Sequence, residues 1–250
     1  IGPATISDAH PHGMLSVAQI IQKSSNVGAA KLALAMPAED MWTMFDSLGF
    51  GQPLKLGNPG EAAGRLRPWK RWRPIEQATM SYGHGISVTL IQLARAYQAF
   101  ARDGDLLPLS LMRAESVPAV GERVYSQQTA REVRTMLEMV VQPGGTAPKA
   151  HVAGYRVAGK TGTAHKLEGG VYANNRYVSS FVGFAPVSNP RLIVAVMIDE
   201  PSAGQHYGGA VAAPVFSDVM GGALRLMAVP PDAPMDKLVL PPAAAPEIKE

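Results

Sequence analysis

Val157-Ala158-Gly159-Lys160-Thr161-Gly162-Thr163-Ala164 decides how the rest of the chain is read. Apolar residues lead into it, a Lys, a bare Gly and two hydroxyls follow, and no helix cap or Pro-Gly turn interrupts it, so the stretch reads as a β-strand. Alternation along a strand puts Lys160 on one face and Thr161 with Thr163 on the other, with Gly162 leaving the backbone bare between them. Such a strand suits an extended peptide. Main-chain bonds along its edge would fix register, and the Thr hydroxyls and Lys charge would draw a carboxylate. The same letters fit a strand entering a turn with Lys160 solvated, so the motif needs support elsewhere in the chain.

Downstream, residues 167–175 are polar and read as a hairpin-like connection. Residues 177–186 and 191–199 are apolar runs around Val187-Ser188-Asn189-Pro190, a turn signal that makes them neighbouring antiparallel strands. Residues 210–227 read as a helix with Pro214 in its first turns, where proline costs least. Beyond Val229 the chain turns to Pro and Ala without a periodic face, which predicts a disordered tail over 229–250 behind a domain of 1–228.

Upstream, residues 1–13 are loop-like. Two helical runs follow, carrying Leu15, Ala18, Ile20 and Ile21, then Val27, Ala30, Leu32, Leu34 and Met36, and Lys23-Ser24-Ser25-Asn26 separates them. Ser25 or Asn26 is placed to cap the second. Residues 39–48 predict another helix, stopped by Gly49-Phe50-Gly51. Residues 52–74 form a long Gly- and Pro-rich excursion of the kind that is usually functional or mobile. A Gly-punctuated loop, Ser81 to Val88, feeds a helix over 89–101; short strands and turns fill 106–124; a capped helix covers 126–141 before Pro143-Gly144-Gly145 breaks it. Helices, then a strand, hairpin strands and a closing helix predict an α/β chain of the α+β type, an antiparallel sheet with helices on both sides.

The totals exclude several functions. A chain of 250 residues with 46% hydrophobic content can bury one sizeable core. A net charge of +3 on a chain only 17% charged gives no nucleic-acid footprint. With no cysteine there is no thiol catalysis, disulfide or thiolate metal site. His10-Pro11-His12 lacks helical spacing and a nearby acid, so no metal and no cofactor is expected. Asp199-Glu200 reads as a solvated turn rather than a glycosidase couple. No apolar run is long enough to span a membrane. Arg65 to Pro74 interleaves cations with Trp69 and Trp72 and reads as a surface loop with its indoles pinned to the body; docking on an anionic surface is the alternative.

Ser24-Ser25-Asn26 at a helix break, followed far downstream by Lys160-Thr161-Gly162, has the order of the S-x-N and K-T-G signatures of penicillin-binding proteins and class A β-lactamases. Wider stretches agree: Gln22-Lys23-Ser24-Ser25-Asn26-Val27-Gly28, Tyr82-Gly83-His84-Gly85 running into Gln92-Leu93-Ala94-Arg95-Ala96-Tyr97, and Tyr207-Gly208-Gly209-Ala210. From about Ser7 to Met227 the chain resembles the transpeptidase domain of class B penicillin-binding proteins of the septal, division-specific type. One departure stands out. No Ser here is followed three residues later by Lys, so the motif bearing the acylated serine is missing, and the expectation is a C-terminal part whose upstream portion supplies it.

The resemblance implies a peptidoglycan D,D-transpeptidase that cross-links stem peptides through a serine acyl-enzyme and is inhibited by β-lactams. It further implies the periplasmic face of the inner membrane, an anchor outside this chain, and membrane proteins of the division machinery as partners. By itself the chain should be inactive. Carried over by position, Ser24 relays a proton toward the leaving amine, Asn26 holds the donor's backbone amide, and Lys160 keeps the field positive. Thr161 and Thr163 bind the carboxylate beside Gly162, and the Thr163 N–H completes an oxyanion hole. His84 and His165 stand where many relatives carry Tyr and Arg, and His206 with Tyr207 resembles the aromatic pair beside the strand. A β-lactamase-like hydrolase, or a non-catalytic β-lactam sensor or division scaffold, are the alternatives.

Overall fold

The computed structural model describes residues 1–57, 59–113, 115, 116 and 121–233. Its helices are α1 (Val17–Lys23), α2 (Asn26–Leu34), α3 (Ala38–Ser47), α4 (Pro74–Met80), α5 (Leu90–Ala96), α6 (Gln98–Ala101), α7 (Gln127–Met139) and α8 (Gly208–Leu226). A short ladder pairs β1 (Asp105–Leu106) with β2 (Glu122–Arg123). The principal sheet runs β3-β4-β5, antiparallel throughout, from β3 (Ala158–Glu168), β4 (Val171–Ala185) and β5 (Leu192–Asp199). Among the described residues β3 pairs with β4 alone, so its outer edge carries no strand.

Strand alternation sorts the sheet's side chains into two cores. Phe181 and its partner Val196 face α8, where they meet Phe216, Met220 and Leu224. The Phe181 and Phe216 rings stand edge to face, 4.7 Å apart. On the opposite face Ala158, Phe184 and Ile193 meet Leu137 and Val133 of α7 with Tyr97 and Phe100. The predicted arrangement of helices on both sides therefore holds. Phe181, Phe184 and Phe216 are fully buried, and burial of such a side chain stabilises by about 2–3 kcal/mol.

Several elements differ from the sequence expectation. The polar stretch 167–175 is the hairpin expected, but its arms are strand rather than connection. It belongs to β3 and β4, which close in a tight turn at Gly169-Gly170 with φ of 57° and 86°, the left-handed pair such hairpins require. Leu167 and Val171 are exposed, so this end buries no face and carries no alternating signal. The helix expected over 89–101 breaks at Tyr97 into α5 and α6. The sequence reading has no helix at α4, which lacks a periodic apolar face. It is fixed by Pro74 in its first turn and by buried Gln77, whose amide donates to the Ala33 and Met36 carbonyls at 2.8 and 2.9 Å. Pro214 lies inside α8, which begins at Gly208.

Gln92, fully buried, organises the irregular excursion. Its Nε2 donates to the carbonyls of Gly49 (3.2 Å), Gln52 (2.7 Å) and Ala63 (2.9 Å), and Arg65 pairs with Ser87 in an antiparallel bridge. The first residues assigned to a disordered tail are also fixed. Val229 is buried and accepts from the Tyr155 hydroxyl at 2.6 Å, while Asp232 accepts from the Arg156 and Ser188 N–H groups at 2.7 and 3.0 Å. Residues 234–250 of that expected tail lie outside the described residues. Among the described residues no helix is long and apolar enough to cross a membrane.

Candidate active site

Ser24 owes its position to the way α1 ends. Its N–H bonds to Ile21 O and that of Ser25 to Ile20 O, the paired pattern of a helix terminated by a left-handed residue. Ser24 holds φ 57°, ψ 46°, where glycine is the usual occupant and a side chain costs on the order of 1 kcal/mol. Next to it, buried Ser25 caps α2: its Oγ accepts from Gly28 N at 2.9 Å and donates to Asp8 Oδ2 at 2.8 Å. Burial pushes the Asp8 carboxyl up, but hydrogen bonds from Val27, Ser25 and Asn26 outweigh it and hold the group below the usual range. Lys23 donates to Gly144 O at 2.7 Å. The Ser24 turn is clasped from both sides, so its strain persists.

Lys160 leaves β3 on the α7 side and curls around the free edge. Its Nζ donates to Ser24 Oγ at 2.6 Å, to Thr161 O at 3.0 Å and to Thr161 Oγ1 at 3.4 Å. Desolvation of the ammonium lowers its pKa to about 8. An ammonium only donates, so Ser24 Oγ accepts here and its own hydrogen is free to point at a ligand. Asn26 opens α2, its Nδ2 3.4 Å from Ser7 O, and among the described residues it makes no hydrogen bond to β3.

Thr161 and Thr163 share the opposite, α8-facing side. Thr163 Oγ1 accepts from Gly208 N at 3.0 Å, which leaves its O–H to donate outward. Thr161 Oγ1 pairs with Thr146 Oγ1 at 2.9 Å. Gly162 is bare for a local reason: a Cβ there would lie 2.5 Å from Ser180 Oγ on β4. Gly208 and Gly209 are required by the same close approach, since their Cβ atoms would lie 2.3 Å from Ser180 O and 2.0 Å from Thr146 O.

An aromatic and imidazole rim borders this edge. His165 lies 4.6 Å from Tyr177, Tyr177 stacks on His206 at 4.0 Å, and His206 touches Tyr207 at 4.5 Å. His165 Nδ1 is 2.7 Å from Ala173 O. His84 sits edge-on between Tyr82 (5.5 Å) and Tyr172 (4.9 Å), and burial, aided by the nearby His165, lowers its pKa. A groove of about 1100 Å³ runs along Gly162, Thr163 and His165, past His84, to Arg65 and Arg67.

Of the residues singled out from sequence, the structure joins Ser24, Lys160 and Thr161 in one hydrogen-bonded cluster and sets Gly162, Thr163, His84 and His165 along one groove. Tyr207, half exposed, adjoins Gly208 at the start of α8. Sequence reasoning misses Thr146, which follows a Gly-Gly break with no motif of its own, and Tyr177, which reads as one more apolar strand residue. Among the described residues no group of three acidic, His or Cys side chains could hold a metal.

The chain has known relatives. A family model described as the penicillin binding protein transpeptidase domain matches residues 1–221. The probable peptidoglycan D,D-transpeptidase PenA of Neisseria gonorrhoeae is 50% identical over 235 residues, covering 94% of this chain and 40% of that protein. The peptidoglycan D,D-transpeptidase FtsI of Escherichia coli K12 is 44% identical over 228 residues, 91% of this chain and 39% of that protein. The chain thus spans about 40% of the length of these curated relatives. The apo structure of the TP domain from Burkholderia pseudomallei penicillin-binding protein 3 superposes with a TM-score of 0.87 at 56% identity, over 92% of this chain and 70% of that one.

Proposed function

The chain belongs to the penicillin-binding protein transpeptidase family, and from that premise we propose that it is part of a septal peptidoglycan D,D-transpeptidase, the target of β-lactams, working in cell division. The observation that carries the reading is the meeting of Ser24 Oγ, Lys160 Nζ and Thr161 Oγ1 at the free edge of β3. A stem peptide lies along that edge as an added strand, its terminal carboxylate on the Thr161 and Thr163 hydroxyls and its scissile carbonyl toward the Thr163 N–H.

The nucleophile comes from outside this sequence, in which no Ser precedes a Lys by three residues. Its hydroxyl passes its proton to a base supplied with it as it attacks the carbonyl between two D-alanines, and the C–N bond of the tetrahedral adduct breaks as the leaving amine takes a proton from Ser24. Lys160, with a pKa near 8, replaces that proton across 2.6 Å. An amine of a second stem then takes the acyl group. The Thr163 N–H lowers the barrier as the carbonyl oxygen gains charge; one such donor contributes about 3 kcal/mol in comparable enzymes. The complete protein is anchored in the inner membrane, faces the periplasm and meets division proteins there.

Labelling with a fluorescent penicillin tests the reading. The 250-residue chain should take no covalent label, and the complete protein should take one and release it slowly. Label on the 250-residue chain would place the nucleophile within it. Rapid release would favour a β-lactamase, and no label on the complete protein would exclude both enzymes and leave a scaffold.

A further inference from the structure

The loop that leads into α4 carries charge that the chemistry at Lys160 does not use. Between Ala62 and Ile75 the sequence has five cations and no acid, on a chain whose net charge is only +3. The fold holds this segment rigid. Trp69–Arg71 form a 3-10 turn, closed by Arg71 N to Pro68 O at 3.0 Å and Trp72 N to Trp69 O at 2.9 Å. Trp72 donates from Nε1 to Arg67 O at 2.9 Å and packs on Ala33, Met41 and Met80, so its indole fixes the loop to the body. Arg67 is paired with Glu76, Nη1 to Oε1 at 2.7 Å, and Arg73 Nε reaches the same carboxylate at 3.4 Å.

Lys70 and Arg71 are left over. Both are exposed, neither makes an ion pair among the described residues, and neither lines the groove along β3. The Lys70 ammonium stands 5.6 Å from the centroid of the Trp69 ring, and Trp69 is itself partly exposed. α3 packs against this turn and opens with Glu39 and Asp40, but among the described residues neither acid pairs with the two cations. Bare apolar groups lie close by. Gln77, one turn beyond Arg73, bonds to the carbonyls of Ala33 and Met36, which brings the end of α2 up to the start of α4. Leu34 and Met36 at that end are 41% and 43% exposed.

Cations, an indole and uncovered aliphatic groups on one rigid corner match a lipid surface better than a soluble polyanion. Headgroup phosphates meet the charges, and the boundary with the acyl chains takes the indole and the thioether. A wall polymer supplies the first and not the second. We propose that this corner docks on an anionic phospholipid bilayer, with Lys70 and Arg71 at the headgroup phosphates and Trp69 and Met36 entering the interface. The corner is separate from the Ser24–Lys160 cluster, so it stands or falls apart from the transpeptidase reading.

The test is co-sedimentation of the 250-residue chain with vesicles of phosphatidylcholine alone, or of phosphatidylcholine with about one third phosphatidylglycerol, in about 0.1 M salt. The native chain should bind the anionic vesicles only. K70Q/R71Q should weaken that binding roughly thirtyfold, whereas R191Q/R225Q, which removes the same charge from exposed residues elsewhere, should weaken it less than about threefold. With lipid brominated on its acyl chains, tryptophan fluorescence should be quenched in the native chain and not in W69F. Equal loss in the two double variants makes the attraction one of net charge and overturns the proposal. So does equal binding to neutral vesicles, absence of binding, or quenching that persists in W69F. If K70Q/R71Q keeps its vesicle binding and instead loses sedimentation with isolated peptidoglycan, the corner belongs to the wall and the proposal falls.

Discussion

Replacing Lys160 with Met should remove a pH dependence that the native fold carries as the cost of its site. Lys160 titrates near 8 in the folded chain because its ammonium is desolvated, against 10.5 unperturbed. Between those values the unfolded chain holds the extra proton, so stability must rise with pH across the interval. From pH 7 to 9.5 the linkage integral amounts to about 2 kcal/mol in favour of the folded state. Tyr125, pushed up to about 12 by burial, and Tyr97, raised further, stay protonated in both states over most of that range, so they scarcely contribute. K160M has nothing to titrate there. At pH 7 it should also be more stable than the native chain by about 1–3 kcal/mol, since it relieves an ammonium held out of water. Urea unfolding followed by far-UV circular dichroism at pH 7, 8, 9 and 9.5 reads both effects. If K160M shows the same rise as the native chain, the proton belongs to another group and the desolvated ammonium is not what the site contains.

Further outcomes follow from the same geometry. Ser24→Gly relieves the left-handed turn and should raise stability by about 0.5–1 kcal/mol in urea titration, while in the complete protein it should abolish turnover of peptide substrates and leave the fold intact. Gly209→Ala puts a methyl 2.0 Å from Thr146 O, a backbone atom that cannot swing aside; a loss of about 2 kcal/mol or more, read by thermal unfolding, is expected. Burial and His165 lower the His84 pKa from 6.5, so the stability that neutral His84 contributes is complete above about 6.5 and is lost as the pH falls through the lowered value. H84Q should flatten that acid limb in a denaturation series from pH 7.5 to 5, and an unchanged limb would assign it elsewhere.

Much of this fold is local and could be read as such. Ser16, Ser25, Thr89 and Ser126 cap the helices that follow them, and the Asn189-Pro190 turn separates two apolar runs that do pair as β4 and β5. Where the reading fell short, a distant partner decided. α4 is held in place by Gln77 reaching the end of α2, and 229–233 are fixed by Tyr155, Arg156 and Ser188. The hairpin expected over 167–175 is strand on both arms because two glycines in left-handed conformation close it tightly, although Leu167, Val171 and Tyr172 are exposed.

The residues of the candidate site were legible one by one, and their order along the chain identified the family. Motif spacing and alternation act within a few residues, so sequence alone determined that Lys160 and Thr161 lie on opposite faces of a strand and that a serine sits at a helix break. Only the tertiary structure decided that these groups meet. Ser24 and Lys160 are 136 residues apart, and their contact depends on α1 packing against α7 and α7 against β3. The same holds for Thr146 beneath Thr161 and for the bare Gly208-Gly209 backbone beside it. Such contacts form when separate elements settle on a shared core, and no local pattern encodes the distance across which they settle.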